Sequence, residues 1–140
     1  MDIRPLDDRL SASPQIAPED MPAIAEAGYR SVVSNRPDGE SPDQPSAAEI
    51  EAAARDAGLA FAHVPVVGGS IADSDISHFR QTLDDLPKPI LGFCRTGTRT
   101  TTLWALQQAG ERPADELIGV ARTAGYDLSG LAPRLKATES

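Results

Sequence analysis

One cysteine, Cys94, among 140 residues rules out an internal disulfide and fits a reducing compartment. Any oxidised or sulfur-loaded Cys94 must then be resolved by a thiol from outside the chain. Only two histidines occur, His63 and His78. With a single cysteine and no close spacing among the three, they predict no metal site. No glycine pattern for a nucleotide is present, so no cofactor is expected. Aromatic residues make up 4% of the chain, which leaves the core to Ala, Leu, Ile and Val. No apolar run is long enough to span a bilayer, and Met1-Asp2-Ile3-Arg4-Pro5 lacks a signal-peptide core, so the expected location is cytoplasmic. Positive charge is the minority sign, 13 Lys and Arg against 21 Asp and Glu. The resulting −8 argues against nucleic acid or an anionic membrane as partner. A small positive pocket would stand out against that background.

The length suits one α/β domain over residues 1–140, with a tail frayed from about Lys136. Strand and helix signals alternate along it. Strands are predicted at Leu10 to Ser13, Tyr29 to Ser34, Leu59 to Val67 and Ile90 to Phe93, the last a short apolar run typical of a buried central strand. Helices are predicted from Pro18 to Ala27, from the capping box Ser46-Ala47-Ala48-Glu49 to Gly58, and from about Asp73 to Leu86. Two more run from Thr101 to Ala109 and from Pro113 to Ala124. Asn35 to Pro45, rich in Pro, Asp and Gly, is a loop. The alternation predicts a central sheet flanked by helices on both faces.

One loop carries the chemistry. Cys94-Arg95-Thr96-Gly97-Thr98-Arg99 joins the apolar strand to a helix beginning near Thr100. The strand places Cys94 at the carboxyl edge of the sheet, where α/β proteins bind ligands. Gly97 permits a tight turn, so successive amides can form an anion nest, and the helix adds its positive end. Arg99 offers a planar donor fork to an oxyanion. Together these make Cys94 a nucleophile rather than a buried small hydrophobe, because two arginines have no reason to flank a core cysteine. Arg95, Thr96, Gly97 and Thr98 are the loop's anion-binding candidates. Thr100 is placed to donate a hydrogen bond to the sulfur or to cap the helix. Asn35 and Arg36 follow a strand on the same edge and are expected at the pocket mouth, with Arg36 holding an anionic substrate. The alternative for both is a turn with a solvated arginine. His63 reads as a hydrogen-bonded core or edge histidine, His78 as surface, and Trp104 as core.

The stretch Phe61 to Val66, then Asp75-Ile76, Phe79 and Ile90 to Thr100, is similar to dual-specificity protein phosphatases. More closely, Leu10 to Gln44, with Asn35-Arg36-Pro37-Asp38-Gly39-Glu40, and Cys94 to Thr100 resemble the phosphatase-like domain of the bacterial beta-lactamase-hydrolase-like proteins. That family is also described as one of sulfur transferases. The likeness spans roughly residues 1–110. It implies a tyrosine-phosphatase-like fold, with Cys94 as nucleophile and Arg99 as oxyanion binder.

Three departures bear on the reaction. Phosphatases have five residues between the cysteine and the arginine, and here there are four. The histidine that usually precedes the cysteine is Phe93. The aspartate that should follow Pro65-Val66-Val67 as general acid is Gly68, with Asp73 and Asp75 as substitutes unless they are merely helix-start charges. An alkoxide leaves slowly without an acid, which typically contributes ~10²–10⁴-fold. The shorter loop resembles that of rhodaneses, and a thiol or sulfite leaving group needs no strong acid. The sequence therefore places first a sulfurtransferase carrying a Cys94 persulfide to a small thiol. Its substrates would be thiosulfate or a persulfide, and its partner a persulfide-metabolising enzyme. Second comes a phosphatase acting through a Cys94 phosphoenzyme on aryl phosphate esters, and third a non-catalytic, redox-sensing anion binder.

Overall fold

The sheet is assembled from very short strands. In this computed structural model, which describes residues 1–137, β1 is Arg4–Pro5, β2 Leu10–Ser13, β3 Ser31–Ser34, β4 Ala60–His63 and β5 Ile90–Phe93. Their spatial order is β1-β2-β5-β3-β4, with β1 antiparallel to β2 and the other pairs parallel. β5 is therefore central: Leu91 lies opposite Ser11 on one side and Val32 on the other. All four β5 residues are buried, which explains an apolar run without the alternation of a half-exposed strand.

Six helices cover the two faces: α1 Met21–Glu26, α2 Ala47–Asp56, α3 Asp73–Asp85, α4 Thr98–Gln108, α5 Ala114–Thr123 and α6 Ala132–Lys136. Successive strand side chains point to opposite faces. Val32, Leu91 and Phe93 accordingly pack with Met21, Ile24, Ile50 and Ala54 from α1 and α2. Leu10, Val33 and Ile90 pack with Phe79, Leu83, Leu103, Trp104 and Leu117 from α3, α4 and α5. Trp104 is core, as its helical neighbours predict, and its Nε1 donates to Asp7 at 2.8 Å. Ser46 and Glu49 form the expected capping box at the start of α2.

Three boundaries differ from the sequence reading. The segment from Pro18 opens as a 3₁₀ turn, Pro18–Asp20, before α1. The strand expected to reach Val67 ends at His63. Val64 and Val66 still donate to Ser34 and Asn35, but Pro65 between them has no N–H to continue a ladder. α4 begins at Thr98 with Gly97 as its cap, so Thr98, Arg99 and Thr100 all lie in its first turn. α6 ends at Lys136, pinned by the buried Leu135, and the tail expected to fray from about there lies largely in residues 138–140, outside the described part. No helix among the described residues is long and apolar enough to cross a membrane.

Gly92 decides how close α4 can come to the sheet. A Cβ there would stand 2.7 Å from Thr100 Cγ2 and 3.4 Å from Leu10 Cδ1. Only glycine lets the first turn of α4 rest on β5, directly behind the end of the strand where Cys94 sits.

Candidate active site

Cys94 follows β5 and is fully buried. Its sulfur accepts the Gly97 N–H at 3.0 Å. That bond requires the chain to double back within three residues, and Gly97 does so at φ +96°, a conformation that favours glycine. Thr96 and Thr98 are exposed and bond to each other through their hydroxyls at 3.1 Å. Both line a small cleft on the far side of the loop, with Asp2, Arg4 and Tyr126. Arg95 is exposed, and its guanidinium has no hydrogen-bond or ion-pair partner among the described residues.

Arg99 is the hub. Its Nη1 donates to Glu40 Oε2 at 2.7 Å and to the Val66 carbonyl at 3.1 Å, and its Nη2 donates to Glu40 Oε1 at 2.7 Å. A guanidinium has five N–H donors in a fixed fork. Three are spent here, all on the side facing Glu40 and Val66. The Nε–H and the second Nη2–H share the other edge, which no described oxygen occupies, and Cys94 is the remaining neighbour that this guanidinium bonds. Both partners register the pairing. Arg99 holds Glu40 down to about 2, and Glu40 in turn raises the Arg99 pKa, with burial opposing and the Cys94 charge adding to the rise. Glu40 also accepts Arg36 Nε at 3.0 Å. A cleft of about 380 Å³ lined by Arg36, Glu40, Gly68, Arg95 and Arg99 opens beside this pair.

Arg36 lines this cleft. It is not solvated but 5% exposed, held by Glu40 and by Gln15, whose Oε1 accepts Nη1 at 2.9 Å. Two expected roles are corrected. Asn35 does not line the pocket mouth: it is fully buried, and its amide nitrogen donates to the Val64 carbonyl at 2.9 Å. Thr100 does not donate to the sulfur, because its hydroxyl donates instead to Asn35 Oδ1 at 2.8 Å. Nor does it cap α4, which Gly97 does. Asn35 and Thr100 form a buried bolt between the end of β3, the loop after β4 and the first turn of α4. His63 bonds the Arg36 carbonyl through Nε2 at 2.9 Å, so it secures the same loop, while His78 is exposed on α3.

Among the described residues Glu40 is the carboxylate that lines the cleft, and Asp73 and Asp75 are occupied elsewhere. Asp75 accepts the Ala72 N–H at the start of α3. Asp73 is fully exposed and pairs loosely with Arg134 at 3.5 Å. Both are helix-start charges. Gly68 presents open space: a Cβ would meet nothing closer than Arg99 Cδ at 3.8 Å. Among the described residues no three His, Cys, Asp or Glu side chains converge as metal ligands would.

Three contributors escaped the sequence reading. Glu40 was visible as the acid closing the Asn35–Glu40 motif, but its partner is 59 positions away. Gly92 was visible as a gap in an apolar strand. Tyr126, which packs against Gly97, carried no local signal.

The comparisons agree with this geometry. Residues 2–111 match the family model of the beta-lactamase hydrolase-like protein, phosphatase-like domain. A beta-lactamase hydrolase-like protein of Xylella fastidiosa strain Temecula1 is 38% identical over 97% of this chain, and one from Agrobacterium fabrum is 33% identical over 88%. The chain spans only about a third of the length of these relatives, 32% and 29%. A crystal structure of a Neisseria meningitidis Z2491 protein, provisionally described as a phosphatase, superposes with a TM-score of 0.90 at 38% identity and covers 99% of both chains. Structures of tyrosine-phosphatase type share the fold at lower identity, among them Tk-PTP, with a TM-score of 0.70 at 19% identity. The chain therefore belongs to the phosphatase-like domain family of the beta-lactamase hydrolase-like proteins.

Proposed function

We propose that the protein is a Cys94-dependent hydrolase of phosphate monoesters with good leaving groups, aryl phosphates above all. The observation that carries this reading is the Arg99 guanidinium, clamped by Glu40 with its other edge left to Cys94 and a ligand. That edge can hold two oxygens of a tetrahedral anion while the loop amides hold others. Cys94 Sγ attacks phosphorus, the S–P bond forms, and the P–O ester bond breaks with its electron pair leaving on the phenol oxygen. Water then cleaves the S–P bond, releasing inorganic phosphate and restoring Cys94. Glu40, ionised and shared between two arginines, is no proton donor, so the leaving group must depart as an anion. Alkyl phosphates such as phosphoserine are then poor substrates. The phosphatase-like family and fold support this reading better than sulfur transfer, reversing the order drawn from sequence alone.

Two observations keep a second reading in view. The four-residue spacing and the missing acid are both tolerable in sulfur transfer. There the Cys94 sulfur takes the outer sulfur of thiosulfate, sulfite leaves, and a small thiol collects the persulfide sulfur. A persulfide-forming enzyme would then be its natural partner. Intact mass measurement after nitrophenyl phosphate or thiosulfate separates the two. A phosphate adduct on Cys94 with steady nitrophenol release is expected; a persulfide with no release would place sulfur transfer first. Cys94→Ser should abolish turnover with the fold intact, and residual activity above a few per cent would remove Cys94 from either mechanism.

A further inference from the structure

We propose that Tyr126 is a positioning residue for the Cys94 sulfur, acting through the Thr96–Gly97 peptide. The Tyr126 hydroxyl donates to the Thr96 carbonyl at 3.3 Å. The Gly97 N–H, which donates to Cys94 Sγ at 3.0 Å, belongs to the same peptide unit. Because a peptide is planar, fixing its carbonyl oxygen fixes the direction of its N–H. Hydrogen bonds in series also polarise one another, so a donor on the carbonyl makes the N–H on the other side a stronger donor.

A second contact points the same way. Gly97 has no room for a side chain, because a Cβ would collide with the Tyr126 hydroxyl and ring. The phenol therefore braces the one residue whose left-handed backbone turns its amide toward sulfur. The Tyr126 phenol responds in turn, its pKa raised by burial first and by the Cys94 charge second. Tyr126 follows α5, outside the matched residues 2–111, so this support comes from a part of the chain that the family model does not describe. The proposal rests on Cys94 as nucleophile. It holds for either reaction above, so its test reads the sulfur and not turnover.

The charged and titratable groups around the sulfur are Arg99 on α4 and Tyr126 after α5. Glu40 acts on Arg99 from the loop after β3, and Asp2 and Arg4 act on Tyr126 with opposite signs, Asp2 raising its pKa and Arg4 lowering it. Tyr126→Phe keeps the ring and removes only the hydroxyl. Iodoacetamide alkylation of Cys94, followed against pH, should show its midpoint rise by roughly 0.2–0.6 of a unit, since a weaker bond to the ionised sulfur disfavours that form. The Gly97 amide proton resonance should move upfield in the same variant. An unmoved midpoint overturns the proposal, because ring packing alone would then account for Tyr126. A risen midpoint with an unmoved Gly97 amide overturns it as well, because the effect would not pass through that peptide. Wild-type turnover failing on every phosphate or thiosulfate would defeat the proposed function and leave this result standing.

Discussion

The Cys94 loop and the loop after β3 lie side by side at one edge of the sheet and are built in opposite ways. The first works through its own backbone: a strand end, a left-handed glycine and a helix start turn the chain so that Gly97 N–H meets the sulfur three residues back. The second works through long side chains reaching distant partners, Asn35 to Thr100 and Glu40 to Arg99. Local geometry turns the nucleophile's loop, with Tyr126 bracing it from outside, and long-range pairing aims the arginine. Chemistry that depends on pairs can be lost from either end.

Arg99→Lys tests that division most severely. A lysine keeps the charge but cannot hold Glu40 with two donors and present a second edge to the ligand. We expect kcat/KM for nitrophenyl phosphate to fall by ~10²–10³-fold, a loss on the scale of one oxyanion-binding group. A fall below fivefold would show that charge alone suffices. Gly68→Asp goes the other way by supplying the absent acid. The site has room for a Cβ and no left-handed backbone to strain. Turnover of phosphotyrosine peptide should rise by ~10-fold or more, with a smaller change for nitrophenyl phosphate, whose leaving group needs less help. Equal gains on both substrates would mean that the carboxylate acts through Arg99 and not as an acid.

Asn35→Ala leaves the buried Thr100 hydroxyl without its acceptor and the Val64 carbonyl without a donor. Stability should drop by ~1–3 kcal/mol in urea unfolding, with activity reduced only in proportion to the folded fraction. Glu40→Gln is the mildest change, because an amide can still accept from Arg99. A KM increase of a few-fold is expected, with kcat nearly kept. The variant also has a pH signature. Because Arg99 holds the Glu40 carboxyl at about 2 against its ordinary 4.5, its stabilisation is complete above that ordinary value and drains away as pH falls toward 2. Glu40→Gln should flatten the loss of stability between those two pH values, and an unchanged acid limb would show that the pair contributes nothing to folding.

Legibility in the sequence followed the same division. Ile90 to Phe93 and the Cys94 loop could be read because their signals are consecutive: an apolar run, a glycine, then a helix. The sheet covered on both faces followed from the alternation of elements. Thr100 was misplaced because the start of α4 was set three residues late. Once Gly97 caps the helix, the Thr100 side chain turns inward toward Asn35 and away from sulfur. Asn35 was misread because a turn-forming residue type at a strand end says nothing about the buried carbonyl it must satisfy. Arg36 could be read either as a pocket-mouth arginine or as a solvated one, and Glu40 carried no signal beyond closing the Asn35–Glu40 stretch. Only the tertiary structure brings Gln15 and Arg99 to them. The short β1 and the helix α6 gave no periodic signal, being two and five residues long.

The position of β5 has a consequence for motion. It is hydrogen-bonded along its whole length to β2 on one side and β3 on the other. Its amides should therefore exchange with deuterium only when the domain unfolds as a whole, whereas those of the segment from Val67 to Ala72 should exchange through local opening. The loop across from the nucleophile would then open without disturbing the strand beneath the sulfur, which keeps one arrangement for the lifetime of the fold.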